Sequence, residues 1–215
     1  MKNTSYPMKN KLHRRGLLWH NHKKKYSFLA IPKCASNSIR DMSGCKSKAD
    51  FKIYPSYKRF TIIREPIARY VSGFIEVMLP ASDYPKGRYH YNLGLNNKMK
   101  KYLDSLNKEK NIVDTFIKFT NGIIERGFFE VHTEPQHYYI INDIVIYKLE
   151  NMNEFIKDFH LKNISFKNKT EFLNEKNKIL EFLSNDNFKN KLTTLFKQDI
   201  TLYNSFDNKL IYRGE

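Results

Sequence analysis

The stretch that most constrains the fold is residues 26–40, YSFLAIPKCASNSIR. Residues 26–31 form a short apolar run whose length and aromatic and branched content suit a buried strand. Pro32 ends that strand, because it has no N–H to give to a ladder. Lys33, Cys34, Ala35, Ser36, Asn37 and Ser38 follow, and Ile39 opens an amphipathic segment. A strand, a tight turn of small residues and a helix N-terminus aim unpaired backbone N–H groups and the positive end of a helix dipole at one spot. Lys33 adds a full positive charge there, and Ser36 and Ser38 add hydroxyl donors. This reads as an anion site. An ordinary β-to-α connection whose serines cap the helix is the competing reading. A phosphate loop of the form G-x-x-x-x-G-K-[ST] is absent, since the turn has no glycine and its lysine comes first. An ordinary ATP or GTP site is thereby disfavoured, and a different phosphate-bearing ligand is favoured.

Residues 59–78, RFTIIREPIARYVSGFIEVM, repeat the arrangement. The pattern predicts a buried strand over 60–63, with Pro66 at the first position of a helix. That helix places Ile67, Val71, Phe74 and Met78 on an apolar face and groups Arg69, Ser72 and Glu76 opposite. Arg64 stands at the strand end, where a P-loop NTPase normally carries an aspartate for Mg²⁺. An arginine neutralises an anion directly. A surface arginine and a helix serine of no special purpose are the alternative.

At these two stretches the sequence resembles the sulfotransferases that use 3′-phosphoadenosine 5′-phosphosulfate (PAPS), closest to the carbohydrate (family 2 type) branch. The family's P-K-x-x-S-x-S motif is matched by Pro32, Lys33, Cys34, Ala35, Ser36, Asn37 and Ser38. Its R-x-P-x-x-R-x-x-S-x-[FY] motif is matched from Arg64 through Pro66, Arg69 and Ser72 to Phe74. The resemblance implies that residues 33–38 grip the 5′-phosphosulfate and that Arg64 and Ser72 grip the 3′-phosphate. Weaker matches are EVHTEPQ at 130–136, similar to a histidine-containing stretch of the carbohydrate branch, and LFKQDITLYN at 195–204, similar to the closing helix. The fold implied is α/β, a P-loop-like three-layer arrangement with a central parallel sheet flanked by helices. The activity implied is transfer of a sulfuryl group from PAPS to a hydroxyl of a carbohydrate acceptor, with no metal. The two motifs are close together here, and histidines that some relatives carry between them are missing. His132 is the first candidate base, because an unperturbed histidine titrates near pH 6.5. Glu76, on the helix face of Ser72, is second, and Glu134 is third. A structural histidine before a Glu-Pro turn is the alternative for His132.

A chain of 215 residues with 40% apolar and 14% aromatic residues can bury one sizeable core, so a single domain over 1–215 is expected. The formal net charge of +16 favours an anionic partner, although the lysines are scattered among asparagines along the whole chain. Cys34 and Cys45 are the two cysteines, in no zinc or redox spacing, which suits a reducing compartment. No run approaches the roughly 20 apolar residues of a membrane span, and the N-terminus lacks the apolar core of a signal peptide. The expectation is a soluble, cytoplasmic protein.

Residues 1–25 are basic and weakly patterned, with His20 and His22 expected in solvent and lacking a third ligand. Residues 80–110, with Tyr84, Arg88, Tyr89, His90 and Tyr91, read either as an acceptor-binding loop or as a solvated insertion. A helix over 111–124 would turn Ile112, Val113, Phe116, Ile117 and Thr120 inward, and a third strand lies within 140–149. Asn151 with Glu154 resembles a capping box ahead of Met152, Phe155, Ile156 and Phe159. Two further helices are expected, over 170–184 and 187–203. Strands alternating with helices imply a parallel sheet. The competing functions are a basic nucleic-acid-binding protein, which lacks a recognised module, a nucleotide kinase of unusual loop type, and a sulfotransferase for small-molecule hydroxyls.

Overall fold

A computed structural model describes residues 18–45, 53–79, 89, 97–106, 111–127, 129, 131–161, 172–185 and 187–214. The chain forms two compact units, each with its own core.

The first unit comprises Met1–Ile63, Gln136–Lys167 and Ser205–Glu215. Its five-stranded sheet runs in the order β1 (Leu18–Asn21), β2 (Tyr26–Leu29), β3 (Lys58–Ile63), β4 (Ile144–Lys148) and β5 (Lys209–Tyr212). β2, β3 and β4 are parallel, as the two strand-to-helix stretches require, while β1 and β5 add antiparallel edges. Phe28, Phe60 and Val145 stand in register across the three central strands, with the Phe28 and Phe60 rings stacked at 5.1 Å. Ile39 of α1 (Ser36–Ser43) joins them, with Phe155 of α5 (Asn153–Asp158) and Phe159. Alternating side chains on parallel strands thus supply one half of this core and two short helices the other.

β1 falls inside the segment expected to be unpatterned. It buries His20, whose Nδ1 lies 2.9 Å from Ser27 Oγ on β2, so His20 is not a solvated residue. His22 is exposed and meets the Tyr57 hydroxyl at 2.9 Å, beside the stacked rings of Tyr54 and Tyr57. The capping box does not form. Met152 holds the N-cap position without a side-chain bond, and the Asn151 amide donates instead to Asn208 Oδ1.

The second unit comprises Arg64–Pro135 and Asn168–Asn204, and its described elements are helical: α2 (Pro66–Met78), α3 (Asn97–Leu106), α4 (Ile112–Arg126), α6 (Leu173–Asn185), α7 (Phe188–Leu195) and α8 (Lys197–Asn204). Tyr70 and Phe74 of α2 pack edge-on or tilted against Phe116 and Phe119 of α4, and Phe196 closes on Tyr70 at 5.0 Å. α2 is buried on nearly every side, so the polar face expected for it does not exist as a solvent face: Arg69 and Ser72 are both buried. On α4 the fully buried residues are Thr115, Phe116, Phe119, Thr120, Gly122 and Ile123, while Ile112 and Ile117 are only half-buried. The single helix expected over 187–203 is two, broken at Phe196, whose backbone is not helical (φ −105°, ψ 23°) and whose ring is buried. Within 80–110, α3 replaces part of the expected loop; residues 80–88, 90–96 and 107–110 lie outside the described residues, as do 1–17.

Candidate active site

The turn after β2 is built without glycine yet uses glycine's conformations. Cys34 N–H donates to Ile31 O at 3.3 Å, with Pro32 and Lys33 at the two central positions. Lys33 has φ of 65°, the signature of a type II turn, whose third position normally takes glycine. Ala35, two residues on, is the N-cap of α1 and is also left-handed, at φ 55° and ψ 29°. Each such L-residue costs about 1–2 kcal/mol, and strain of this kind persists where the surroundings over-determine the chain, commonly at functional sites. Left-handed residues leading into a helix N-terminus turn successive N–H groups toward a common point, which suits an anion.

The N-termini of α1 and α2 differ. The N-cap of α1 is Ala35, which makes no side-chain cap bond, and its first turn holds no acidic residue. α2 is capped by its own chain: the Glu65 carboxylate accepts from Ile67 N–H at 3.1 Å and from Ala68 N–H at 2.5 Å. An anion is therefore suited to the start of α1, while the start of α2 already holds one. The Glu65 cap was legible in principle, since an acidic residue directly before Pro66 is a helix-start signal.

Each expected residue of the first half-site has a definite place. Lys33 is half-buried and Asn37 exposed. The Ser36 hydroxyl donates to Ile31 O at 2.5 Å, so in this structure its proton shapes the turn. Ser38 is buried. Cys34 is buried and its thiol donates to Gln136 Oε1 at 3.2 Å.

In the second half-site, Arg64 Nη1 donates to Ser72 Oγ at 3.1 Å, bringing together the two residues expected to hold one phosphate. Arg69 is instead a structural residue, buried and donating to the Glu134 carbonyl. Gly73 explains how the EVHTEPQ segment reaches α2. A Cβ there would sit 2.1 Å from His132 O and 2.8 Å from His132 C, so only glycine admits this backbone approach. The His132 backbone thus lies against α2 one residue from Ser72, and Glu76 follows one turn along. Glu134, the third candidate base, is buried. A glycine in the middle of an otherwise apolar helix was the signal for this approach. Lys33, Cys34, Ala35, Ser36, Asn37 and Ser38 belong to the first unit, and Arg64, Ser72, Glu76 and His132 to the second.

Comparison with known proteins decides the family. Residues 17–210 match the sulfotransferase family. The chain belongs to that family. No curated protein and no solved structure gives a match. The matched span takes in both half-sites, the His132 segment and most of the sheet. This sulfotransferase is accordingly an enzyme of sulfuryl transfer, and its family implies PAPS as co-substrate and a second, acceptor substrate. Among the described residues, no helix is long and apolar enough to cross a membrane.

Proposed function

We propose that this sulfotransferase moves the sulfuryl group of PAPS to a hydroxyl of a carbohydrate acceptor, an anionic glycan in particular. The observation that carries the reading is the strained turn at Lys33 and Ala35 opening onto a helix whose N-cap, Ala35, makes no side-chain cap bond. Residues 33–38 receive the 5′-phosphosulfate, and the hydrogen-bonded pair Arg64 and Ser72 receives the 3′-phosphate.

The acceptor oxygen attacks sulfur in line, and the bond from sulfur to the bridging phosphate oxygen breaks. Adenosine 3′,5′-bisphosphate leaves. Such a loose transition state asks mainly for alignment and for charge stabilisation on the departing oxygen. Lys33 supplies that charge, and the backbone N–H groups of the turn share it. The acceptor's proton goes to His132, with Glu76 as the second candidate. The glycan assignment is supported by the net charge of +16 and by Tyr84, Arg88 and Tyr91 of the 80–110 stretch, whereas Tyr89 is buried and donates to Asp104, and Tyr102 donates to Lys118 O under the Arg126 guanidinium. Aromatic faces stack on sugar rings, and cations hold carboxylates or existing sulfates.

The test is a panel of sugar and phenolic acceptors with labelled PAPS, run with the wild type, His132→Ala and Glu76→Gln. Transfer to sugars that is lost in His132→Ala is expected. Transfer only to phenols or amines would remove the glycan assignment. Full activity in His132→Ala with loss in Glu76→Gln would move the base to α2.

A further inference from the structure

We infer that Gln136 is a positioning residue for the phosphosulfate turn, holding it in its strained form through the thiol of Cys34. The inference rests on the reading of residues 33–38 as the 5′-phosphosulfate site and adds a residue that no motif of that site contains.

Cys34 lies between two left-handed residues, Lys33 at φ 65° and Ala35 at φ 55°. A turn of this kind relaxes toward ordinary backbone angles unless something holds it. Two of its restraints are local: Cys34 N–H and Ser36 Oγ both donate to Ile31 O, at the end of the turn's own strand. Both tie the turn to its own strand. The bond from Cys34 Sγ to Gln136 Oε1 reaches 102 positions along the chain and fixes the turn at its centre.

Gln136 is suited to hold it. It opens the 3₁₀ turn Gln136–Tyr139, which buries Tyr139 and is closed by the bond from Ile140 N–H to His137 O. Cys34 and Gln136 are each 1% exposed, so water cannot replace either partner. A thiol is a weak donor, but in a dry site its loss leaves a buried amide oxygen with one acceptor bond fewer. The amide is also neutral. It accepts the thiol proton without setting a negative charge beside a site for an anion, which a glutamate at 136 would do.

The experiment compares two nucleotides that differ only in the 5′-phosphate: adenosine 3′,5′-bisphosphate and adenosine 3′-monophosphate. Their affinities are measured by calorimetry on the wild type, Gln136→Met, Gln136→Glu, Cys34→Ala and Cys34→Ser, with melting temperatures as the folding control. The wild type should prefer the bisphosphate. In Gln136→Met and Cys34→Ala that preference should fall about tenfold, the scale of one lost buried hydrogen bond, while the 3′-monophosphate binds as before. Gln136→Glu should fall further. Cys34→Ser should recover the preference lost in Cys34→Ala, because a hydroxyl donates to the same amide. The double variant Cys34→Ala with Gln136→Met should lose no more than either alone. Should Gln136→Met fail to fold, the alanine and serine variants of Cys34 read the same bond from its other end. An unchanged preference in both single variants overturns the role of Gln136, as does an equal loss for both nucleotides, which marks a general structural defect. A wild type that does not prefer the bisphosphate contradicts the 5′-site itself, and the inference falls with it.

Discussion

Two residues show most plainly how local geometry sets this site. Ala35 sits in the left-handed region, which glycine enters at no steric cost. Ala35→Gly is expected to raise the stability measured in urea by about 0.5–1 kcal/mol, and a fall would contradict the strain assigned to the turn. Gly73 is the reverse case: its added Cβ would collide with backbone, which cannot swing aside as a side chain can. Gly73→Ala should cost more than about 2 kcal/mol, read as a lowered melting temperature. An unchanged melting temperature would mean that the 131–134 segment does not lie on α2. For chemistry the residue to change is Lys33. Lys33→Ala should reduce turnover by roughly 10²–10³-fold with an unaltered melting temperature, and near-normal turnover would refute its role. Lys33 and Arg64 were legible as charges just past strand ends, and Ser72 as a hydroxyl on the helix that follows Arg64. Arg69 was not: its spacing grouped it with Ser72 and Glu76, and only the packing around α2 shows that this side is also buried and that Arg69 serves the Glu134 carbonyl. Nor was the direction of the Ser36 proton, which depends on where Ile31 O ends up.

At the scale of elements, the three central strands and the helices α2 and α4 were legible because each carries a long apolar pattern. The edges were not. β1 is four residues with a histidine turned inward, and β5 is a half-buried strand that follows a predicted helix, so neither gives a periodic signal. Beyond its ladder with β4, the β5 edge is tied by Asp158, at the end of α5. It accepts from Lys209 Nζ at 2.7 Å and from the Tyr147 hydroxyl at 2.5 Å, with Lys58 Nζ at 3.5 Å, so one carboxylate joins β3, β4 and β5. Burial by itself would push the Asp158 carboxyl up, but the bonds from Lys209 and Tyr147 and the charges of Lys58 and Lys209 outweigh it and hold it down at about 2. The same burial, with Asp158 adjacent, pushes the Tyr147 phenol upward. A depressed carboxylate contributes stability that is present above its unfolded value, near 3.9, and that is lost as pH falls through its folded value. Asp158→Asn is therefore expected to cost about 1–2 kcal/mol at pH 7, reduced from the full linkage value because the lysines are partly exposed. The gap to the wild type should narrow as pH falls from about 4 to 2. A gap independent of pH would show that the aspartate is not held as an ion.

Across the molecule, the sequence carried the fold class and the family because both are written in short contiguous stretches, strand into turn into helix. It carried less of how distant stretches meet: Gly73 against His132, and Cys34 against Gln136, join residues 59 and 102 positions apart, as numbered in the chain. The two separate cores have the same origin, since each unit is assembled from segments far apart in sequence. The net charge of +16 adds a field that draws any anionic nucleotide, so its contribution to binding should weaken as salt is raised, while contacts made within the site persist. The proposed function requires a nucleotide phosphorylated at both 5′ and 3′ positions. Calorimetry at 0.15 M salt with a chelator present, comparing adenosine 3′,5′-bisphosphate with 5′-AMP, tests it most directly. The bisphosphate should bind without added metal and roughly 10–100 times more tightly, the scale of charge-assisted bonds from Arg64 and Ser72 to one phosphate. Equal affinities for the two nucleotides would remove the 3′-phosphate role of Arg64 and Ser72.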